Sequence, residues 1–420
     1  LETRLTPCLI DMTFRGIRVD LERCERSKQQ LLKREKQTYR EINKEAGFDV
    51  EIWAATSLAK AFDKLKVAYP RTAKGAPSFT KAFLSENPHP FAKMIVEARN
   101  LNKIQGTFIN NIMKFVGSDC RIHGHINQLR SDEGGTVSGR LSMSNPNLQQ
   151  IPARDPELGP MIRSLFLPEE GELWAAIDYS QQEPRILTHY ASVFGTWKGL
   201  PLGGAKEFVD GYTNDPDMDF HTMVAEMANI SRKQAKTINL GMMYGMGVRK
   251  LADQLDLEFE DAKELTQQYH KRVPFVKELM NGVSRSVDQK SDGSLRSLKG
   301  RKCRFDMFEP MGYDVQKAMP LKEAKATYGE TAPLKRAYTY KALNRLIQAS
   351  AADMTKQAMV DLYEAGERPL LQVHDELGCS VTNVEHAKKI RAVMEAAIKL
   401  QVPSKCDIDL GPSWGETKEI

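Results

Sequence analysis

Residues 174–187 read WAAIDYSQQEPRIL, and this stretch decides how the middle of the chain folds. The apolar run Trp174–Ile177 is typical of a short buried β-strand, and the residues from Gln182 onward are patterned like a helix with Pro184 in its first turn. Asp178 lies between the two elements, at the end of the strand. A carboxylate held rigidly there suits a metal site, but it equally suits a helix cap.

A second acidic residue follows another predicted strand. Leu370–Val373 and Leu377–Val381 are strand-like runs separated by residues 374–376, which predicts a tight hairpin. Aspartate is common in turns, so Asp375 alone carries little information. If this hairpin pairs with the strand before Asp178, the two carboxylates meet. They would then suit two Mg²⁺ ions roughly 3.5–4 Å apart, the arrangement used in phosphoryl transfer.

The segment 231–245, SRKQAKTINLGMMYG, is predicted to be a helix that begins after Ser231 and ends at Gly245. Its stripe of residues at every fourth position consists of Arg232, Lys236, Leu240 and Tyr244. Two cations, an apolar residue and an aromatic suit the phosphates, sugar and base of a nucleotide, although an ordinary amphipathic surface helix has the same pattern. His221, upstream, decides nothing by itself.

Polar side chains in two further segments are suited to contacts with a nucleic-acid duplex. They are Arg140, Asn147 and Gln149 in the turn-rich stretch 138–152, and Asn344 and Gln348, one helical turn apart. Every base pair presents minor-groove acceptors, so such donors sense duplex shape without reading sequence. Residues 285–304 carry a surplus of five positive charges, which suits phosphate contacts or, equally, a solvated loop.

Secondary-structure patterning indicates an α+β chain with separate helical lobes. The predicted elements are a long solvated helix over 21–45, shorter helices over 56–115, a strand over 121–130, helices over 185–285 interrupted by a loop at 199–219, and one long helix over 334–363.

Composition excludes several classes of protein. The 420 residues predict two or three domains, and no stretch is apolar enough to cross a membrane. The six cysteines are scattered without a Cys-x-x-Cys pair, which favours reduced thiols and argues against a zinc site. The net charge of +5 allows an anionic partner without requiring one. No secretory leader opens the chain, and its first residue is Leu, so we expect a piece of a longer cytoplasmic protein of a bacterium or a phage-infected host.

Three ordered motifs resemble those of a known family. DYSQQEPRIL (178–187), RKQAKTINLGMMYG (232–245) and LLQVHDEL (370–377) resemble motifs A, B and C of the family-A DNA polymerases, the class of bacterial DNA polymerase I and many phage replicative enzymes. Three further stretches resemble the segment before motif A, the helix between motifs B and C, and the thumb tip that grips the primer–template: GRLSMSNPNLQQIP (139–152), NRLIQASAAD (344–353) and RNLNKIQGTF (99–108).

The resemblance covers essentially the whole chain and implies a right-hand fold with an antiparallel-sheet palm and helical thumb and fingers. The implied divisions are a palm-edge lead-in at 1–25, the thumb at 26–118, palm with motif A at 119–187, fingers at 188–333, and palm with the motif C hairpin (370–381) at 334–420.

The resemblance also implies roles for single residues. Asp178 and Asp375, with the main-chain carbonyl of Tyr179, would bind two Mg²⁺ ions, for which Mn²⁺ can substitute, and Glu376 would be an accessory acid. Lys236 would protonate the leaving pyrophosphate, and Glu183 would occupy the space of a ribose 2′-OH. The implied nucleotide-binding set is Arg232, Lys236, His221, Tyr244, Leu240, Gln181 and Glu183. The implied DNA-binding set is Arg140, Asn147, Gln149, Asn344, Gln348, His374, Arg99, Lys103 and Arg301.

The expected partners are primer–template DNA and deoxynucleoside triphosphates, and we expect a monomer that works with a processivity factor or an upstream exonuclease domain. No exonuclease acid cluster is visible before Ser138, so this segment should lack 3′–5′ exonuclease activity. Leu240 stands where the family usually has Phe or Tyr, which predicts poor use of dideoxynucleotides. Gln182 and Pro184 replace residues that are usually apolar. Loops at 195–219 and 308–333 look longer than the bacterial pattern and receive no role.

Three rival functions remain at this point. A single-subunit RNA polymerase shares the two aspartates, but Glu183 argues against it because a ribonucleotide enzyme should leave that space open. A catalytically silent DNA-binding accessory protein would not need Asp178, Asp375, Arg232 and Lys236 together. A two-metal nuclease is the third alternative.

Overall fold

The computed structural model describes residues 1–131, 134–152, 155–197, 202–289, 292–312 and 317–420. The predicted α+β class is confirmed, since long helices are combined with small antiparallel sheets. Within those ranges, no helix is both long enough and apolar enough to span a bilayer.

The chain begins with a lobe that is helical except for one short strand. Its elements are α1 (Glu2–Arg15), β1 (Ile17–Val19), α2 (Leu21–Ala46), α3 (Ala55–Lys64), α4 (Lys81–Glu86), α5 (Pro90–Lys103) and α6 (Asn110–Phe115), with a π-helical turn at Ile104–Ile109 between the last two. The helix predicted over 21–45 is confirmed as α2. It begins where the Asp20 carboxylate accepts the amide of Arg23, and it ends at Gly47, whose φ of 70° closes the helix.

The distal part of this lobe has a core of its own, separate from the rest of the molecule. The Phe62 ring lies at its centre, with ring centroids 4.9 Å from Phe79 and 5.5 Å from Phe91. This local core packs the distal part of the lobe together.

The segment 99–108 was expected at the tip of this lobe, and that expectation is wrong. Leu101, Ile104 and Phe108 are buried in a second cluster, together with residues of the central part of the chain such as Trp174. Their spacing places them on one face of the helix, and that face packs where the lobe joins the central sheet.

The middle of the chain forms short strands before one long one. The elements are β2 (Arg121–Ile122), β3 (His125–Asn127), β4 (Ser142–Ser144), α7 (Leu158–Arg163), β5 (Phe166–Leu167) and β6 (Leu173–Tyr179). β1 pairs with both β2 and β5, and β3 pairs with β4. The strand predicted over 121–130 is therefore confirmed only as two short pieces.

A helical lobe follows β6. It contains α8 (Gln182–Trp197), α9 (Ala205–Asn214), α10 (Phe220–Ala228), α11 (Arg232–Met243), α12 (Val248–Leu255), α13 (Phe259–Arg272) and α14 (Pro274–Gln289). The loop predicted at 199–219 is wrong in its described part, because α9 occupies most of it. Phe208 and Tyr212 are both buried on one face of α9, and the Gly, Asp and Pro residues that suggested a loop mainly flank the helix.

The next segment combines small sheets with the longest buried helix. Its elements are β7 (Ser294–Arg296), β8 (Lys302–Arg304), β9 (Met307–Pro310), β10 (Met319–Pro320), α15 (Leu321–Tyr328), β11 (Leu334–Arg336) and α16 (Ala342–Glu364). The helix predicted over 334–363 begins later than expected, because β11 pairs with β9 and Tyr338 adopts a φ of 63°. The predicted loop at 308–333 likewise contains β10 and α15 in its described part.

The chain ends with β12 (Pro369–Val373), β13 (Glu376–Val381), α17 (Val384–Ala396), β14 (Cys406–Gly411) and β15 (Lys418–Glu419). The predicted hairpin is confirmed as β12 and β13. Together with β6 these strands form an antiparallel sheet in the order β12-β13-β6-β14-β15. α16 contacts α1, α8, α14 and α17. The helices that follow β6 therefore share one continuous core with the central sheet.

Candidate active site

The two predicted aspartates meet at one edge of the central sheet. β13 pairs antiparallel with β6 so that Glu376 lies opposite Asp178, and Asp375 is the turn residue directly before Glu376. The main-chain N–H of Tyr179 donates to the Asp375 carbonyl over 3.4 Å. Two acids almost two hundred positions apart are thus fixed side by side by strand register.

The electrostatics of this edge favour a bound cation. The Asp178 side chain is open to solvent on one side, but surrounding protein reduces its solvation. This burial, followed by the charges of Asp375, Glu376 and Asp407, raises the pKa of the Asp178 carboxyl. Burial also raises the pKa of Asp375. Within the described residues neither aspartate forms a direct ion pair with Lys or Arg, and the more distant charge of Arg140 only partly offsets the effect of burial on Asp375.

The donor set fits magnesium with help from a substrate. The described residues contain no cluster of three or more His, Cys, Asp or Glu side chains arranged to hold a metal. Two carboxylates and main-chain carbonyls offer oxygen atoms only, and Mg²⁺ in such sites completes its shell with water and substrate phosphates. The Tyr179 side chain is buried and its O–H donates to the Met394 carbonyl over 2.6 Å, so only its main chain faces this edge.

Glu376 is held by an aromatic stack. The indole Nε1 of Trp414 donates to its Oε1 over 2.8 Å. Trp414 in turn stacks on Trp174 with centroids 5.9 Å apart, and the guanidinium carbon of Arg163 lies 4.4 Å from the Trp414 ring centroid. Burial raises the pKa of Glu376. The carboxylate is therefore fixed beside Asp375 by a residue near the end of the chain.

Helix α11 presents its predicted stripe to solvent. Ser231 and Gln234 form a capping box at its start, and Gly245, with a φ of 70°, follows its end. Arg232, Lys236 and Tyr244 are exposed, while Leu240 is half-buried. The predicted helix and its caps are confirmed, and two cations face outward from its first two turns.

Arg232 has an acidic partner that the sequence did not indicate. Its Nη2 lies 2.7 Å from Oδ2 of Asp219, and its Nε donates to Oδ1 over 3.3 Å. Asp219 also caps α10 by accepting the amide of Thr222 over 2.6 Å. Burial opposes ionisation of Asp219, but the hydrogen bonds from Arg232 and Thr222 outweigh it and lower its pKa to about 2.

His221 lies behind this helix in a buried hydrogen-bond chain. The Tyr269 hydroxyl donates to Oδ1 of Asn239 over 2.7 Å, and the Asn239 amide faces Nδ1 of His221 at 3.0 Å. Since Asn239 donates through Nδ2, His221 accepts at Nδ1 and carries its proton on Nε2. Burial lowers the pKa of His221, which favours this neutral form.

Glu183 connects the sheet edge to the end of α11. Its carboxylate accepts from Nη2 of Arg140 over 2.7 Å and from the Tyr244 hydroxyl over 3.0 Å. Gln348, on α16, is a further hydrogen-bond neighbour of Tyr244. Glu183, Arg140, Tyr244 and Gln348 were all predicted site residues, and the structure brings them together.

The other predicted DNA-contacting residues of this region form a chain that leads to the hairpin. Asn147 accepts the amide of Gln149, and Gln149 Nε2 donates to the side-chain oxygen of Gln372 over 3.0 Å. Gln372 in turn donates to the carbonyl of His374, which is exposed beside Asp375. Asn344 is half-buried on the first turn of α16. Gln372 was missed because its signal, a polar residue in an apolar strand, was not used.

One predicted site residue after Asp178, Gln181, is engaged in holding the fold. Gln181 donates to the Met218 carbonyl and accepts from Tyr212 and from the amide of Phe220, so both ends of its amide are occupied. This geometry favours a structural role over the predicted nucleotide contact. Its neighbour Gln182, one of the unusual residues of the motif, is buried and donates to the Ala351 carbonyl on α16.

Arg99 is likewise turned inward. Its guanidinium donates to the carbonyls of Ile52 and Phe79 and lies over the Trp53 ring. These contacts join three parts of the helical lobe, which favours a structural role over the predicted DNA contact. Lys103, one turn further along, is exposed.

Arg301 belongs to a buried ion network instead of an open basic patch. Its side chain is 15% exposed and pairs with Glu2 and, over 3.1 Å, with Asp353, which is fully buried. Lys356 lies on α16, as Asp353 does, and its Nζ is 3.0 Å from Oε1 of Glu2. Burial lowers the pKa of Lys356 to about 8. This burial favours a structural role for Arg301 over the predicted contact with DNA. Lys290 of the same charged segment lies outside the described residues.

Comparison with known proteins identifies the family. A profile of DNA polymerase family A matches residues 21–416. The chain is 34% identical to a DNA-directed DNA polymerase of Pseudomonas phage M6 over 99% of its own length and 66% of the relative's, and 31% identical to DNA polymerase I of Geobacillus stearothermophilus over 100% of its length and 46% of the relative's.

A solved structure shows the same fold. The POL domain of Pol1 from M. smegmatis, in complex with DNA primer-template and dNTP, superposes with a TM-score of 0.77 at 28% identity, covering 99% of this chain and 70% of that one. The chain spans about two thirds of the phage relative and less than half of the bacterial one. On these matches, the chain belongs to DNA polymerase family A.

Proposed function

We propose that the chain is the polymerase module of a template-directed DNA polymerase, which adds deoxynucleotides to a primer 3′-OH and releases pyrophosphate. The observation that carries this proposal is the meeting of Asp178 and Asp375 at one sheet edge, joined through Glu183 and Tyr244 to the cationic helix α11. A site for metal-assisted phosphoryl transfer needs these two parts side by side.

The domain assignment follows the same reasoning. The helical lobe of 26–118, with its own aromatic core, would be the thumb. The helices of 188–333 would be the fingers, and the central sheet with 1–25, 119–187 and 334–420 would be the palm. We further propose that primer–template DNA lies across the palm between the two helical lobes.

Asp178 and Asp375, with the Tyr179 carbonyl, would hold two Mg²⁺ ions, as their all-oxygen donor set and mutual repulsion favour. When bound, these ions lower the pKa of the primer 3′-OH and neutralise the triphosphate. Glu376, fixed by Trp414, holds a further negative charge beside them.

The chain's own residues position the substrate. Arg232 and Lys236 face solvent from one stripe of α11 and would bind the triphosphate, with His221 donating from its protonated Nε2. In the reaction, a bond forms between the 3′ oxygen and the α-phosphorus, and the bond from that phosphorus to the bridging oxygen breaks. The 3′-OH would release its proton to solvent water, and Lys236 would supply one to the departing pyrophosphate.

A primer-extension assay tests this function directly. The purified chain, given a labelled primer–template, Mg²⁺ and the four deoxynucleotides, should lengthen the primer according to the template. Extension that prefers ribonucleotides would support an RNA polymerase instead. Shortening of the duplex without nucleotides would support a nuclease, and binding without any extension would support an accessory protein.

The finer expectations remain proposals that the same preparation can test. A labelled mismatched primer incubated without nucleotides should stay intact if this segment lacks 3′–5′ exonuclease activity. Poor termination by dideoxynucleotides is still predicted from Leu240. Light scattering should report a monomer, and we propose a cytoplasmic location for the protein.

Replacing Glu183 with alanine should relax the choice of sugar. Arg140 and Tyr244 pin its carboxylate, so the side chain cannot swing away from an incoming ribose. We expect the ratio of ribonucleotide to deoxynucleotide incorporation to rise about 10–100-fold, the range by which pocket shape discriminates small groups. Competition between one dNTP and its rNTP at a single template position measures this ratio.

Glu183→Gln is the matched control for this prediction. Glutamine keeps the size of the side chain. Its oxygen can accept from Arg140 while its amide nitrogen donates to the Tyr244 hydroxyl oxygen, so the ratio should change by less than about threefold. Equal relaxation in both variants would show that charge, and not the occupied volume, sets the discrimination.

A further inference from the structure

Arg232, the exposed cation at the start of α11, is held from one side by Asp219. The carboxylate contacts the Nε and Nη2 atoms of the guanidinium at 3.3 and 2.7 Å. A guanidinium is a rigid planar fork of five N–H donors, so fixing one edge fixes the direction of the other. The edge that carries Nη1 therefore remains available, with a set orientation, for a second anion.

Asp219 is itself fixed relative to the predicted metal site. Its Oδ1 caps α10 at the amide of Thr222. The loop that leads to it is tied to the residues after Asp178, because Gln181 donates to the Met218 carbonyl over 2.9 Å and Arg185 donates to the Pro216 carbonyl over 2.6 Å.

These contacts relate the two halves of the site. Arg185 is 1% exposed and also donates to the Ser180 carbonyl over 2.8 Å, two residues after Asp178. The loop 215–219 is thus held against the end of β6. Because Asp219 contacts the Arg232 guanidinium, this loop also fixes where the guanidinium lies. An ordinary helix cap would need only the bond to Thr222.

We infer that Asp219 is a positioning residue for the incoming triphosphate, acting by aiming the Arg232 guanidinium at the phosphates. This inference rests on the proposed function, because it requires Arg232 to bind a nucleotide. Asp219 touches no reacting atom, and its contribution passes entirely through the orientation of Arg232.

Asp219→Asn separates the two roles of this side chain. Asparagine caps helices as well as aspartate does, so α10 should keep its start. It lacks the charge that holds Arg232. We expect the KM for the deoxynucleotide to rise about three- to tenfold with kcat changed by less than about twofold, as for an interaction made equally in ground and transition states.

Asp210→Asn is the matched control. Asp210 lies on the neighbouring helix α9 and pairs with Lys206 in an exposed ion pair of the same kind. Its replacement should leave the KM for the nucleotide unchanged. If both variants raise the KM equally, a general loss of negative charge explains the effect and the inference is overturned.

A double-mutant cycle with Arg232→Gln decides whether Asp219 acts through Arg232. In that background Asp219→Asn should have no further effect on the KM, and an effect of undiminished size would overturn the inference. Asp219→Ser, which also caps a helix, serves as second variant if the asparagine protein does not fold. Wild-type protein that fails to extend primers would refute the proposed function, whereas active wild-type protein with an unchanged KM in Asp219→Asn would refute this inference alone.

Discussion

Asp178→Ala is expected to reduce primer extension by at least about a thousandfold. This loss exceeds that of a single transition-state donor, because the substitution would remove the proposed ligand of both Mg²⁺ ions. Binding of primer–template should persist, since the predicted duplex contacts Arg140, Gln149 and Gln348 lie elsewhere. Single-turnover extension measures the loss, and fluorescence anisotropy with a labelled duplex measures the binding. Asp375→Ala should give the same pair of results.

Asp407→Asn is the control on the opposite side of Asp178. Asp407 lies across from Asp178 on β14 and pairs with Lys405 at 3.3 Å. It is an acid of the same sheet edge, but it follows no motif of the family, so extension should stay within about threefold of wild type by the usual modest effect of an exposed ion pair. Loss of extension in Asp407→Asn with retention in Asp178→Ala would move the metal site along the same sheet face, from β6 and β13 towards β14.

The stability of Asp178→Ala is a separate check that the variant is folded. The carboxylates of Asp178, Asp375 and Glu376 repel one another, so removing one should not lower the midpoint of thermal unfolding measured without divalent cations. A lower midpoint would mean that the lost activity reflects unfolding.

Much of this site could be predicted from the sequence because it depends on local pattern. The apolar run before Asp178, the hairpin around Asp375 and the caps of α11 are each encoded within a few residues. Strand pairing then follows from which apolar runs must be buried together. The meeting of the two acids could therefore be predicted before any coordinates.

Elements that depend on a distant partner were predicted less well. Residues 334–336 read as helix, but they pair with β9, a strand whose position local propensity does not reveal. In α9 the burial of Phe208 and Tyr212 outweighs the loop-like composition around it. In both cases tertiary contact overrides the local preference.

The direction in which a side chain points was the second feature that the sequence did not predict. The sequence pattern of a charged segment does not distinguish a basic residue that faces solvent from one that pairs with a buried acid. Asp219 and Trp414 were missed for the related reason that their signals, a helix cap and an aromatic near the end of the chain, have common structural explanations. Only the fold shows that they contact Arg232 and Glu376.

Arg301→Gln is expected to destabilise the protein without lowering its affinity for DNA. The guanidinium faces Glu2 and the fully buried Asp353, whose carboxylate also accepts from Ser297 and from the amide of Lys299. Breaking a buried ion pair by removing one partner costs about 3–5 kcal/mol. The midpoint of thermal unfolding should fall by about 5 °C or more, and Asp353→Asn should lower it similarly.

Lys103→Gln gives the opposite pair of results and completes the test. Lys103 is exposed where the helical lobe joins the sheet, so its loss should leave the unfolding midpoint unchanged. If it contacts a phosphate, the slope of log affinity against log salt should become shallower by about 0.9. Arg301→Gln should leave that slope unchanged, because Nε and Nη2 of the guanidinium already pair with Asp353 and Glu2 inside the protein. A shallower slope with an unchanged midpoint in Arg301→Gln would restore Arg301 to the DNA-contacting surface and contradict the buried network.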